Sequence, residues 1–440
     1  MSRLNDLGPG VDKLENLIGS DSGKPNRGPR LDNRRLILFA MLYAVQGVVI
    51  SYFITYNGRY MRASGFTDPS RPEGLSITQV GWSQTIATLP LAIKFLFGLW
   101  ADRHNFLNFG HRKPYIILGL ILQGISLFGI SMINPVRHLS AFTLVATMAV
   151  AGLCLYDVAC DAFAVQVTPQ NDRSRVQGIL QATRFISTAI CGLVFGFIWS
   201  FTTIPGQGVL WLCGLLPLPA IIYAMRIAEP EHRRDGKGIG WGTFHIFRKK
   251  SLWALLFFSI IYAVVSFGVE SVLSFWFAVP ALAFTEQALG TQSLGRNCGR
   301  AVGALAQSRL SQFLSRRNLV VLGLAGLSVH TILFAFITGQ TSAMIVGILF
   351  GISVGWLDAL ACSMAMDESD PDWPGSSFAL IMAFQNLGTL GSGLMSTLAD
   401  SQGFKAAFLI VAAINIFAIA AWPWLDHLHK KPTTDEVWSV

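Results

Sequence analysis

Gly98-Leu-Trp-Ala-Asp102-Arg103, resumed after a short gap by Gly110-His-Arg112-Lys113-Pro-Tyr, is a polar island between two apolar runs. The run before it extends from Ile77 to Ala101 and the run after it from Pro114 to Ile133. A helix crossing hydrocarbon needs about 20 apolar residues, so each run is long enough to span a bilayer. The island then reads as a tight turn at a membrane surface. Gly98 allows close helix approach, Asp102 can face a helix end or a cation, and Arg112 and Lys113 can pair with Asp102 and hold the loop inside.

The same reading extends in both directions. Further apolar stretches run from Leu36 to Tyr60, Ser140 to Val167, Val176 to Phe201 and Val209 to Met225. After a hydrophilic connection, others run from Leu252 to Val279, Phe284 to Phe313, Leu319 to Ile337, Ala343 to Met366, Ser377 to Leu398 and Phe404 to Leu425. The Phe284 stretch is the least apolar. The chain is 52% hydrophobic and 13% charged, about half the charged share of soluble proteins. The fold class expected is an all-α membrane protein of about twelve transmembrane helices in two six-helix pseudo-symmetric bundles. The divisions are a polar N-terminal tail over 1–35, a bundle over 36–225, a connection over 226–250, a bundle over 251–425 and a tail over 426–440. The first 35 residues lack the apolar core of a secretory signal and read as a disordered cytoplasmic tail.

Lys and Arg set the orientation, because they are retained on the cytoplasmic side. With both termini inside, 24 of the 33 fall on inner segments and 5 on outer ones. The formal charge of +8 is therefore topology, and no soluble basic face points to nucleic acid. The six cysteines lie in apolar stretches without a C-x-x-C pair, which reads as packing. No metal or organic cofactor is expected. The halves echo each other: Gly152-Leu-Cys-Leu-Tyr-Asp157-Val-Ala-Cys160 against Gly355-Trp-Leu-Asp358-Ala-Leu-Ala-Cys362, and Gly98 to Arg103 against Gly303 to Arg309. Internal repeats are a mark of transporters, whose sites lie at the repeat interface.

The Gly98–Lys113 island resembles the signature between the second and third spans of the major facilitator superfamily. Tyr43-Ala-Val-Gln46-Gly47, Leu89-Pro90-Leu-Ala-Ile-Lys94 and Asp157-Val-Ala-Cys-Asp161-Ala-Phe together resemble the branch of muropeptide permeases and acetyl-CoA transporters. The long loop before Gly110 resembles that of folate–biopterin transporters. Tyr156 and Phe163 stand where the first branch often has Gln and Trp. The resemblance implies alternating access, a monomer in a bacterial inner membrane, and a muropeptide-, siderophore-, pterin- or coenzyme-A-like solute.

Ionisable side chains at bilayer depth are costly and mark function or pairing. Here they are Asp157, Asp161, Glu270 and Asp358, with Lys94, Arg184, Arg296 and Arg300. Asp157 and Asp161, four apart, share one face of a helix. With Glu270 they are the expected proton-coupling acids. The alternative is a structural lock of Asp161 with Arg184, Arg173 or Arg175. The four cations converge on an anionic solute, or pair with the four acids. Gln46, Tyr56, Asn57, Gln181, Tyr262, Trp276, Gln385 and Asp358 complete the expected binding set, with Gly98, Asp102, Arg112 and Lys113 for gating. The function expected is proton-coupled uptake of a polar or anionic organic solute. A sensor or assembly factor for a lipid-soluble ligand is the alternative. A membrane enzyme lacks a catalytic cluster.

Overall fold

In the computed structural model, residues 31–63, 65–103, 110, 112–169, 173–227, 229, 247–311, 313–368 and 374–426 are described. The N-terminal tail up to residue 30, most of the central connection and the C-terminal tail from 427 lie outside them.

The described chain is helical rods joined by short turns. The first half contains α1 (Asn33–Met61), α2 (Ile77–Ala92), α3 (Lys94–Arg103), α4 (Lys113–Met132), α5 (Leu139–Val167), α6 (Arg173–Ile198), α7 (Gln207–Leu215) and α8 (Pro217–Arg226). The second half contains α9 (Lys250–Trp276), α10 (Glu286–Leu310), α11 (Arg316–Phe334), α12 (Gln340–Glu368), α13 (Pro374–Asn386), α14 (Leu390–Gln402) and α15 (Phe404–Asp426). The pairs α2–α3, α7–α8 and α13–α14 each form one interrupted rod, which gives six rods per half.

Among the described residues, nine helices are long and apolar enough to cross a membrane. The remaining three rods fail that test for visible reasons. The α2–α3 rod breaks at Ile93, just after Pro90, whose ring removes an amide hydrogen and crowds the preceding turn. Helix α10 carries Arg296 and Arg300 mid-rod, as its weak hydropathy anticipated. Helix α15 is apolar, but the part of it whose side chains are described, Phe404–Ile419, is too short to pass.

Local chemistry starts the rods. Ser76 and Gln79 form a reciprocal capping box at α2. Thr285 caps α10 and Ser315 caps α11 through backbone amides three residues on. Two departures from regular helix were not foreseen. Tyr52–Tyr56 is a π turn within α1, a form that concentrates at functional places. Leu387–Thr389 is a 3-10 turn dividing α13 from α14. The glycines Gly388 and Gly391 beside it press on Ala263 and Val264 of α9.

The halves meet along α6 with α10 and along α2 with α14. The described bonds between halves cluster at the end away from the basic loops. Arg59 pairs with Glu286 at 2.9 Å, and Thr55 lies 3.2 Å from Ser293. The Thr78 amide donates to Asp400 and the Trp82 indole to Thr397. Thr85 donates to the Thr389 carbonyl and accepts from the Gly393 amide at 2.9 Å. Small residues let the backbones approach this closely. A Cβ at Gly290 would stand 2.6 Å from the Gly192 carbonyl oxygen and 3.0 Å from the Tyr56 hydroxyl.

Gly290→Val is therefore expected to open this seal. Overpacking costs about 1–3 kcal/mol, roughly a five- to hundredfold shift toward separated ends. Spin labels at positions 71 and 402, on opposite halves at that end, should move apart in Gly290→Val; an unchanged distance distribution counts against the seal.

Candidate functional site

Polar and charged side chains from both halves meet midway along the rods. In the first half, α1 runs antiparallel to α5, so positions on one rising face of α1 meet the descending face of α5. Tyr43 and Gln46 are three apart, and Asp161 and Asp157 are four apart, so the two ladders register. The Tyr43 hydroxyl donates to Asp161 Oδ1 at 2.6 Å, and the Gln46 amide donates to Asp157 Oδ1 at 2.6 Å. Lys94 stands at the break after α2 and reaches Asp157 Oδ2 at 3.5 Å.

The second half repeats the theme. The Tyr262 hydroxyl on α9 donates to Asp358 Oδ1 on α12 at 3.1 Å, and the Gln385 amide donates to that hydroxyl at 2.5 Å. In each half, then, the first rod donates a side-chain hydrogen bond to a carboxylate of the fourth. Glu270 lies between two guanidiniums. Its Oε1 is 3.3 Å from Arg296 Nε and its Oε2 is 2.9 Å from Arg300. Glu270 and Arg296 are both 2% exposed, so this triad is sequestered from water. A buried pair survives only with such close contacts, because desolvation otherwise outweighs attraction.

Three of the four expected cations are thus paired internally. Arg184 is the exception. Among the described residues it has no carboxylate within ion-pair distance; its guanidinium lies over the Phe185 ring at 5.4 Å. It is half-buried on α6 and within electrostatic reach of Asp161 in one half and Asp358 in the other. The alternative lock of Asp161 with Arg184 is not what the structure holds: Asp161 takes the Tyr43 hydroxyl instead. The side chains of Arg173 and Arg175 lie outside the described set. Gln181, half-buried, sits one turn before Arg184.

Other expected contacts lie elsewhere. Tyr56 is fully buried in the seal, with its hydroxyl on the Gly192 carbonyl at 2.7 Å. Asn57 is buried between Tyr52 and Met61. Trp276 donates to the Phe334 carbonyl and packs on Phe404 and Phe408. These three belong to the packed interior at the sealed end, because the apolar bulk of each side chain fills helix contacts there while its polar atom finds a local partner.

At the basic end, a Cβ on Gly98 would lie 2.9 Å from Val158, so this glycine does admit α3 against α5. The Asp102 side chain lies outside the described residues. Arg112 and Lys113 meet Glu229, whose carboxylate accepts their backbone amides at 2.8 and 3.2 Å, and Lys113 Nζ donates to the Met225 carbonyl. Glu229 thereby satisfies the free amides that open α4. Sequence reading passed over Glu229 and assigned Tyr43, quoted only within a motif, no pairing role. No local pattern marks the first. The matched spacing of Tyr43–Gln46 and Asp157–Asp161 was available for the second. A hollow of about 540 Å³ lined by Arg62, Asp68, Arg71, Glu73 and Arg137 lies at the loop after α1, apart from this cluster.

The sequence pattern of the Major Facilitator Superfamily matches residues 36–389 and 275–437. The chain belongs to that superfamily. This facilitator is 25% identical over 255 residues to a probable folate-biopterin transporter 7 of Arabidopsis thaliana, across 54% of this chain and 56% of that one. It thus spans about half the length of the curated relative it matches. Among solved structures, the fold superposes on a D-xylose-proton symporter with a TM-score of 0.72 at 14% identity, over 88% of this chain and 96% of that one. It superposes on the nucleoside transporter NupG at 0.68 and 14%, over 90% and 99%. A bacterial homologue of the lysosomal transporter Spinster, inward-facing and unoccupied, gives 0.68 and 13%, over 92% and 98%. These likenesses establish the fold, and the superfamily match makes the chain a multi-pass membrane protein of a transporter superfamily.

Proposed function

We propose that this facilitator takes up a pterin-type organic anion together with protons, by alternating access between the bundles of residues 36–225 and 251–425. The observation that carries the reading is Arg184: among the described residues, a half-buried cation on α6 with no carboxylate within ion-pair distance. A solute carboxylate beside it would form the charge-assisted bond that no side chain supplies. Asp161, which takes the Tyr43 hydroxyl and no ion pair among the described residues, is the proton carrier in this reading, and Asp157 pairs with Lys94. Glu270, paired with two arginines, positions them. The pterin class is supported by the folate-biopterin relative alone.

The protein works as a monomer in an energised membrane such as the bacterial inner membrane, with both termini on the basic, cytoplasmic side. The sealed end then faces outward, and the structure is the state from which solute leaves to the inside. Proteoliposomes given labelled folate or biopterin, with and without an inside-alkaline pH gradient, test the reading. Accumulation of folate that collapses with a protonophore is the expected result. Equal folate uptake with and without the gradient would remove proton coupling.

A further inference from the structure

We infer that the central cluster is built to be electrically neutral, so that each negative charge brought by a solute is matched by a proton, the first of them on Asp161. This rests on the transport reading above and adds the charge stoichiometry to it.

The described groups balance. Lys94, Arg184, Arg296 and Arg300 carry four positive charges, and Asp157, Asp161, Glu270 and Asp358 carry four negative ones. Direct pairing accounts for only part of the balance. Lys94 answers Asp157, and Glu270, between Arg296 and Arg300, answers one of the two charges, which leaves one for Asp358, within electrostatic reach of Arg300. Arg184 and Asp161 are the remaining pair, opposite in sign and not in contact. A solute anion on Arg184 satisfies that cation and leaves Asp161 surplus. A net charge at bilayer depth costs several kcal/mol, and one proton on Asp161 removes it. No bond other than O–H is made, and the proton comes from the side that delivers the solute.

Asp161 receives the first proton because of what surrounds it. Tyr43 faces it from α1, Lys94 from α3 and Arg184 from α6, while Asp157 and Cys160 share its own helix. Lys94 is already committed to Asp157, so occupying Arg184 strips Asp161 of its remaining positive neighbour. Asp358 faces Tyr262 and Glu270 from α9, Arg300 from α10 and Arg184 from α6, and keeps Arg300 when Arg184 is occupied. A second negative charge, as on folate, would bring the next proton to Asp358. The consequence is electroneutral transport, with anions accumulated and neutral solutes only equilibrated.

Removing the Arg184 charge by mutation imitates the anion and needs no solute. Infrared difference spectra of the purified full chain in bilayers at neutral pH should show one added protonated-carboxyl stretch in Arg184→Gln. Arg184→Lys should lack it, and Arg184→Gln with Asp161→Asn should lose it. No added band in Arg184→Gln, or a band that survives Asp161→Asn, overturns the proposal. In proteoliposomes, folate uptake at a fixed pH gradient should be the same under imposed potentials of either sign; a potential-dependent rate also overturns it. The intact infrared pattern with folate ignored would remove only the pterin reading.

Discussion

Asp161→Asn is expected to abolish accumulation of solute against its gradient while sparing exchange of labelled for unlabelled solute. The amide keeps the hydrogen bond to Tyr43 and resembles the protonated acid in charge and size. The cluster is then fixed in its proton-loaded charge state, which binds an anion but has no proton to release. One pH unit is worth about 1.4 kcal/mol, a factor of ten in concentration ratio. With one proton per solute, a two-unit gradient would support roughly hundredfold accumulation in the parent and none in the variant. Counterflow measured in the same vesicles separates this outcome from misfolding. Residual accumulation near the parent level would place the carrier elsewhere, and Asp157→Asn would then be the next variant to build.

Glu270→Gln is expected to cost the fold more than any single change in the cluster. It leaves Arg296 and Arg300 adjacent, with no carboxylate between them and almost no exposure to water. Breaking a buried ion pair from one side costs about 3–5 kcal/mol, because the partner charge stays buried without compensation. The measurement is the midpoint of thermal unfolding in detergent, followed by the fluorescence of the purified protein. Adding Arg296→Gln to Glu270→Gln restores the original net charge of the triad and should recover much of the loss. A double variant no more stable than the single one would mean that Glu270 acts through its packing.

Much of this architecture is legible in the residues. The run lengths and positions give the rods and their order, because hydrocarbon thickness sets how long an apolar run must be to span it. The island at Gly98–Lys113 and the spacing of Asp157 and Asp161 are local patterns, and local patterns survive in sequence. The interruptions are harder to read. Pro90 marks the break at Ile93, but the π turn at Tyr52–Tyr56 and the 3-10 turn at Leu387–Thr389 depend on what packs against them. Pairing within the cluster is harder still. Equal numbers of acids and bases are compatible with many pairings, and only three-dimensional placement leaves Arg184, among the described residues, as the cluster cation without a carboxylate. The same is true of Tyr56, Asn57 and Trp276, whose polar atoms suit a binding site in sequence and bond within the packed interior in space.

The seal between α6 and α10 closes main chain against main chain at Gly192 and Gly290. At that point closure depends on separation of the two backbones more than on side-chain chemistry. Choice of cargo is thereby relegated to the middle of the molecule, and the two properties are separable under selection. In the proposed reading, cargo can diverge through changes at Arg184, Asp358 or Gln385 without retuning the closure, whereas a side chain at Gly192 or Gly290 would meet backbone or side-chain atoms at 2.6 Å. A lineage built on this plan would change what it carries far more readily than how it shuts.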